Sequence, residues 1–373
     1  MAEEALTSPD LLAVIGARPQ FIKSAASTRV LGHFGISQFL LHTGQHPDPE
    51  MGLDFLKELG VPAPDGILSP SQESRTHRLA DMMEGVADAI GRLRPKAVMV
   101  FGDTDSTLAG ALAGHHAGIP VVHVEAGLRS GDRSMPEEHN RILTDQLSDV
   151  LCTTGPKASK QLEQEGVDAG RIVETGDVML DVALAAHDAL RERIPPAWPV
   201  ASSPVLVATL HRPGTVDDSA LLSGALEVMA MWIRRTGGSV YFPVHPRTAG
   251  MMLQHGLDLP QSVVNPGPVG YLDMQSALVH ADCVLTDSGG VQKEAWYQGT
   301  PAVVLRDTTE WRELLEIGAS TLFDPAMLTQ AEGRSQLVDR LVSIGPVPNV
   351  RGSGLFGEGR AAHRILEVIR NFL

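Results

Sequence analysis

The residues best equipped for chemistry are carboxylates placed where apolar runs end. FGDTDST, from Phe101, follows such a run with Asp103 and Asp105. HVEAGLRSGDRSMPEEHNR, His123 to Arg141, places Glu125 at the end of a run of valines (Val121, Val122, Val124). A carboxylate there is costly unless solvated or paired, and burial moves a carboxyl towards the range useful for proton transfer. Glu137 and Arg141 stand four apart on a helix expected to begin near Pro136, a salt-bridge spacing. Each has a plainer reading, Asp103 and Asp105 as helix N-caps and Glu137 with Arg141 as a surface pair. Together, Asp103, Glu125 and Glu137 converging on one crevice point to acid/base chemistry.

A second set of residues suits an anion. GARPQFIK, Gly16 to Lys23, opens with a glycine that permits a tight turn and a proline suited to a first helical turn. The helix N-terminus then offers N–H groups to an anion, with Arg18 and Lys23 nearby; a plain turn with two surface cations is the equal alternative. TLHR, Thr209 to Arg212, and PVHPR, Pro243 to Arg247, each set His and Arg directly after a strand. A lone His is more often structural, but these paired strand ends, with His211, Arg212 and His245, suit phosphate. LTDSGGVQKEA, Leu285 to Ala295, reads as strand, glycine turn, helix. Ser288, Gly289 and Gly290 then form a phosphate cradle, and Glu294 further along can accept hydrogen bonds from a ribose diol. GARPQFIK is neither a Walker A loop nor GxGxxG, and no HExxH occurs in the chain, so no metal site is expected.

The elements that must position these residues are short buried strands. Candidates at 11–15, 38–41, 97–101, 121–124, 150–153 and 172–174 alternate with helical patterns or turns, and a second series follows at 205–209, 240–243, 263–265, 283–286 and 302–305. Alternation of this kind implies βαβ units and parallel sheets. At about 150 residues per domain, 373 residues make two. Residues 1–10 read as a polar tail, 11–185 as an N-terminal Rossmann-like domain, 186–204 as a charged, then Pro/Ser-rich linker, and 205–357 as a C-terminal Rossmann-like domain. The fold class is α/β with two doubly wound parallel sheets, and ligands in such sheets sit beyond the carboxyl ends of the strands.

Composition narrows the partners. Lys+Arg 30 against Asp+Glu 45 gives a net charge of −15, with no basic run of five, so nucleic acid and membrane surfaces are not expected partners. Cys152 and Cys283 are far apart and form no CxxC, no apolar run spans a bilayer, and the acidic start resembles no secretory signal. A cytoplasmic enzyme is expected.

From Leu11 to the C-terminus, GARPQFIK, TGQH, GDTDST, HVEAGLRSGD, MPEEHNRILTD, ETGDVMLD, TLHR, PVHPR, LTDSGGVQKEA and RDTTEWRE, in this order, resemble the non-hydrolysing UDP-N-acetylglucosamine 2-epimerase family. The resemblance implies a GT-B-like architecture with the active site in the interdomain cleft, UDP held by the C-terminal domain, a last helix within 358–373 returning to the N-terminal domain, and a homodimer. It also implies that UDP is eliminated in the anti sense to give 2-acetamidoglucal and re-added with the proton on the other face, interconverting UDP-GlcNAc and UDP-ManNAc without cofactor or metal. On that basis Asp103, Glu125 and Glu137 are the acid/base candidates, Arg141 orients Glu137 and His211 stabilises the departing diphosphate. Arg18, Lys23, Arg212, His245, Ser288, Gly289, Gly290 and Glu294 hold UDP.

The chain also departs from the family pattern. HRPGTVD replaces HRxEN, with Gly214 and Thr215 at the acid and amide; TEWRE replaces TERPE; and QHPDP, containing Gln45 and His46, is shorter in polar residues than the string of substrate-activated bacterial members. Gln45 and His46 thus mark a vestigial allosteric region, and hyperbolic kinetics are expected. GARPQF, HTGQH, GVQKEA and the Trp of TEW are similar to a branch containing epimerases of UDP-2,3-diacetamido-2,3-dideoxy-glucuronate, the alternative substrate. A hydrolysing epimerase, a GT-B glycosyltransferase and a non-catalytic nucleotide-sugar sensor are the competing classes.

Overall fold

The computed structural model describes residues 8–45, 57–200, 203–350 and 353–373. The chain divides into two compact units, Met1–Val182 with Phe356–Leu373, and Ala183–Leu355. In the first, β1 (Leu11–Ile15), β2 (Gln38–His42), β3 (Gly66–Ile67), β4 (Ala97–Phe101), β5 (Val121–Ala126), β6 (Val150–Thr153) and β7 (Ile172–Glu174) form one parallel sheet in the order β3-β2-β1-β4-β5-β6-β7. In the second, β8 (Val205–Thr209), β9 (Ser239–Tyr241), β10 (Val263–Val264), β11 (Cys283–Thr286), β12 (Ala302–Leu305) and β13 (Ser320–Phe323) follow the order β10-β9-β8-β11-β12-β13, again parallel.

β1 and β4 are buried at every position, as strands covered on both faces must be. Leu12, Val14, Val98 and Val100 pack against Val86 and Ile90 of the helix Arg75–Leu93. In the second unit Leu206, Val240 and Phe242 pack with Met229 and Trp232, while Val205, Val207 and Tyr241 face Met274 and Leu278. Strand order reverses between β1 and β4, and between β8 and β11. Ligands of open α/β sheets sit at such switch points.

Several elements differ from the sequence expectation. β3 and β13 have no counterpart among the expected strands, since a two-residue strand and one opening on Ser-Thr carry little apolar signal. β9 ends at Tyr241 and β10 at Val264, earlier than expected. The 186–204 stretch is not a linker throughout. The helix Val178–Glu192 runs into it, carried by the helix-forming string VMLDVALAAHDALRE. Beyond that helix, residues 196–198 pack within the second unit, with Trp198 tilted against Tyr241 at 5.0 Å between ring centroids and the Tyr241 hydroxyl donating to Pro196 O at 3.0 Å.

The final helix, Ala361–Phe372, belongs to the first unit. Its apolar stripe, Ala361, Ala362, Ile365, Leu366 and Ile369, has helical spacing and is buried. Its first N–H groups, Ala361 and Ala362, donate to the Asp181 carboxylate at 3.0 and 2.8 Å. Burial pushes the Asp181 carboxyl up to about 6, against the pull of those two donors.

Candidate active site

In the first unit the residues beyond β1, β4 and β5 are held by ion pairs and hydrogen bonds between their side chains. Glu125 is buried near the end of β5 with φ of +72°, a left-handed conformation that costs a residue with a Cβ, and the pairing of β5 with β6 shifts register at this point. Its Oε1 lies 2.5 Å from Lys23 Nζ. Lys23 is therefore no surface cation: it is buried against the carboxylate, contrary to the simple anion-binding expectation. Gly102, at φ +65°, makes room, since a Cβ there would come within 2.8 Å of Lys23 Nζ.

Asp103, half-buried, is bonded by Arg141, whose guanidinium also reaches Glu138 Oε2 at 3.2 Å. The helical partner of Arg141 is thus Glu138 at i,i+3 rather than the expected Glu137 at i,i+4. Glu138 is the buried one of the two acids, its carboxylate accepting from Ser130 N at 2.8 Å and Gly131 N at 3.0 Å. Glu137 is only partly buried and lies in the field of Arg75. Neither Asp103 nor Asp105 caps the helix Asp105–His116; Thr104 does. Asp105 instead accepts from Arg75 Nε at 2.9 Å and Asn140 Nδ2 at 3.0 Å, and Asn140 also donates to Asp103 O at 3.0 Å. Burial opposes its charge, but Arg75 and Asn140 hold the Asp105 carboxyl below the usual range.

The GARPQ turn is closed from within. Gln20 Oε1 accepts from Gly16 N at 2.8 Å and Ala17 N at 3.0 Å, so these two donors are already used. Arg18 begins the helix Arg18–Thr28 and is exposed. Gln45 Oε1 accepts from Ser106 N at 2.9 Å and Ser106 Oγ at 2.6 Å, tying the chain beyond β2 to the helix after β4. His46 lies outside the described residues.

In the second unit the switch point is organised by Asp287, fully buried after β11. It accepts from His211 N at 3.0 Å and Arg212 N at 2.9 Å, and its Oδ1 lies 3.4 Å from His211 Nδ1. The His245 ring sits 5.6 Å from that of His211 between centroids; its Nδ1 accepts from Arg247 N at 3.1 Å, which leaves the hydrogen on Nε2. Arg247 itself pairs with Asp217. Ser288 caps the helix Gly289–Tyr297. A Cβ on Gly289 would meet Glu310 Oε1 at 2.3 Å, so that position is crowded against a side chain, whereas one on Gly290 would lie at an ordinary 3.8 Å from Glu294 Oε1, which places Glu294 facing the turn. Trp311 of TEWRE lies under Lys293, whose Nζ is 3.8 Å from the ring centroid.

Residues 31–370 match the family model described as UDP-N-acetylglucosamine 2-epimerase. The chain belongs to the UDP-N-acetylglucosamine 2-epimerase family. It is 40% identical to the UDP-2,3-diacetamido-2,3-dideoxy-D-glucuronate 2-epimerase of Pseudomonas aeruginosa over 96% of this chain and 99% of that one. It is 32% identical to the UDP-N-acetylglucosamine 2-epimerase of Methanocaldococcus jannaschii over 95% and 97%. Among solved structures, the UDP-GlcNAc 2-epimerase of M. jannaschii in complex with UDP-GlcNAc and UDP superposes with a TM-score of 0.82 at 29% identity, covering 97% of this chain and 98% of that one. The two parallel-sheet units match that GT-B-like architecture, and the chain is a nucleotide-sugar epimerase, an isomerase.

For this epimerase, reading the motifs alone misses Gln20, Glu138, Asn140 and Asp287. Asp287 carries a usable signal, because it ends an apolar strand as Glu125 does. The others are set by partners distant in sequence.

Proposed function

We propose that the protein inverts C2 of UDP-N-acetylglucosamine without net hydrolysis. A carboxylate takes the C2 proton, the C1–O bond breaks with its electron pair leaving on UDP, and a C1=C2 double bond forms. UDP then re-adds at C1 while a second acid returns a proton to the opposite face of C2, giving UDP-N-acetylmannosamine. The observation that carries this reading is Glu125: a buried carboxylate on a left-handed backbone, held 2.5 Å from a buried ammonium. The ion pair with Lys23 holds the Glu125 carboxylate in one position, as a group that must meet a C–H bond in a fixed geometry requires. Asp103, fixed by Arg141, and Glu137 are the other acid/base groups.

In the second unit, His211 on its Asp287 anchor stabilises charge on the departing diphosphate. The Ser288–Gly290 turn takes the diphosphate, with Arg212 and His245 beside it, and Glu294 takes the ribose. In the first unit Arg18 is a further contact for the anion. A cytoplasmic homodimer is part of the proposal and is checked by light scattering and fractionation. Activity should be hyperbolic in substrate, with Gln45 serving the fold of the first unit; a lag abolished by added UDP-GlcNAc would refute this.

A second reading, UDP-2,3-diacetamido-2,3-dideoxy-glucuronate as substrate, is favoured by the 40% identity to the P. aeruginosa enzyme. One experiment separates the readings: NMR time courses with each UDP-sugar in D2O, with no added metal or nucleotide cofactor. Deuterium at C2 of both epimers of UDP-GlcNAc supports the first proposal. Exchange confined to the diacetamido-uronate supports the second, and free sugar with UDP indicates a hydrolysing enzyme.

A further inference from the structure

Behind the acid/base carboxylates lies a buried pair that none of these roles uses. His123, fully buried on β5, has Nδ1 2.7 Å from Asp145 Oδ1 and Nε2 2.8 Å from Gly102 O. A carbonyl oxygen only accepts, so Nε2 carries hydrogen. Asp145, also fully buried, takes Arg129 at 2.7 Å and Gly127 N at 3.2 Å on its other oxygen, and Arg129 continues to Glu165. Burial works against its charge, but His123 and Arg129 hold the Asp145 carboxyl below the ordinary range. A carboxylate facing Nδ1 also only accepts. Both ring nitrogens therefore face acceptors, and Glu165, Arg129, Asp145 and His123 form one linked chain.

What this chain holds is the Gly102 peptide. Its carbonyl accepts from His123, and Gly102 N donates to Val124 O at 2.9 Å. The next residue after Gly102 is Asp103, and the next after Val124 is Glu125. Fixing the Gly102–Val124 link fixes the separation of the two carboxylates: Asp103 follows the left-handed Gly102, and Glu125 is itself left-handed.

We infer that His123, set by Asp145, is a positioning residue that locks the Gly102 peptide and thereby registers Asp103 against Glu125. The inference rests on reading those two carboxylates as acid/base groups, but its first test does not involve substrate. In nitrogen-15-labelled protein at pH 7, both His123 ring nitrogens should show a directly bonded hydrogen; one bare nitrogen overturns the arrangement. In the second test, His123→Phe lowers kcat about 100-fold with KM within about threefold, because misplaced groups cost turnover more than binding. His123→Gln, whose amide can still donate towards Gly102 O, loses less. A folded His123→Phe with wild-type kcat, or a His123→Gln no better than a folded His123→Phe, overturns it. Should His123→Phe not fold, the ring signal and a His123→Gln that lowers kcat without moving KM decide. A wild-type protein inactive on both UDP-sugars refutes the proposed function, whereas the ring measurement still judges His123.

Discussion

At the ends of β4 and β5 the first unit pairs charge with charge: buried Lys23 with Glu125, buried Arg141 with Asp103 and Glu138, and exposed Arg75 with buried Asp105. At the ends of β8 and β11 the second unit, with the same order of strands around its switch point, spends one buried carboxylate, Asp287, on two backbone N–H groups and leaves a glycine turn at a helix N-terminus. On the proposed reading, one topology supports two chemistries. The fold supplies the place, and the residue types after each strand decide whether it moves protons or holds an anion. The first arrangement needs pairs of opposite charge, because lone buried ions are expensive. The second needs donors aimed outward, so its anchoring acid is consumed internally.

The largest effect expected of this difference is at Glu125. Glu125→Gln keeps an oxygen that can accept from Lys23, so the fold should survive while C2 exchange in D2O falls about 1,000-fold. Next comes Asp287→Ala, which leaves His211 N and Arg212 N without their acceptor. At about 1–3 kcal/mol per orphaned buried donor, it should cost about 3 kcal/mol of stability by urea unfolding and loosen His211. If instead Glu125→Gln unfolds the protein and Asp287→Ala slows turnover alone, the contrast between a chemical and a scaffolding acid is wrong.

Asp181 offers a third test, within the first unit only. In the unfolded chain an aspartate ionises near 3.8, whereas in the fold this one ionises at about 6. Between those values the fold keeps a proton that the unfolded chain has released. The contribution is therefore full below the unfolded value and lost as pH rises through the folded one. Relative to Asp181→Asn, wild-type stability should fall by no more than about 3 kcal/mol between pH 4 and pH 6.5. Urea midpoints of the two proteins that run parallel over this range would show that the cap on Ala361–Phe372 does not titrate.

Much of the contrast between the two units is legible in the sequence. Apolar runs ending in Gly, Asp or Glu locate strand ends, and strand ends locate ligands in parallel sheets, so Asp103, Glu125, His211 and Ser288 can be picked out one motif at a time. The pairing cannot. Lys23 meets Glu125 across 102 positions and Asp287 meets His211 across 76, and no local period encodes such contacts. Helical spacing even misleads at Glu137, because i,i+3 and i,i+4 neighbours lie on the same face and only burial selects Glu138. The left-handed backbone of Glu125 has no signal either, since the residue that usually announces it is glycine.

The smallest expected effect probes the anion side of the comparison. Gly289→Ala places a methyl group 2.3 Å from where Glu310 Oε1 now sits, and Glu310 cannot move freely because it is buried on Arg306 at 2.9 Å. The turn must open by about 0.7 Å or more to bring that 2.3 Å contact to 3.0 Å, which spoils the convergence of N–H groups on a diphosphate without replacing any proposed acid or base. Calorimetric titration with UDP should show affinity about tenfold weaker, about 1.4 kcal/mol, while C2 exchange at saturating substrate stays near wild type. Unchanged UDP affinity would mean that the diphosphate is not held at this turn, and a collapse of exchange at saturation would mean that the second unit takes part in proton transfer after all.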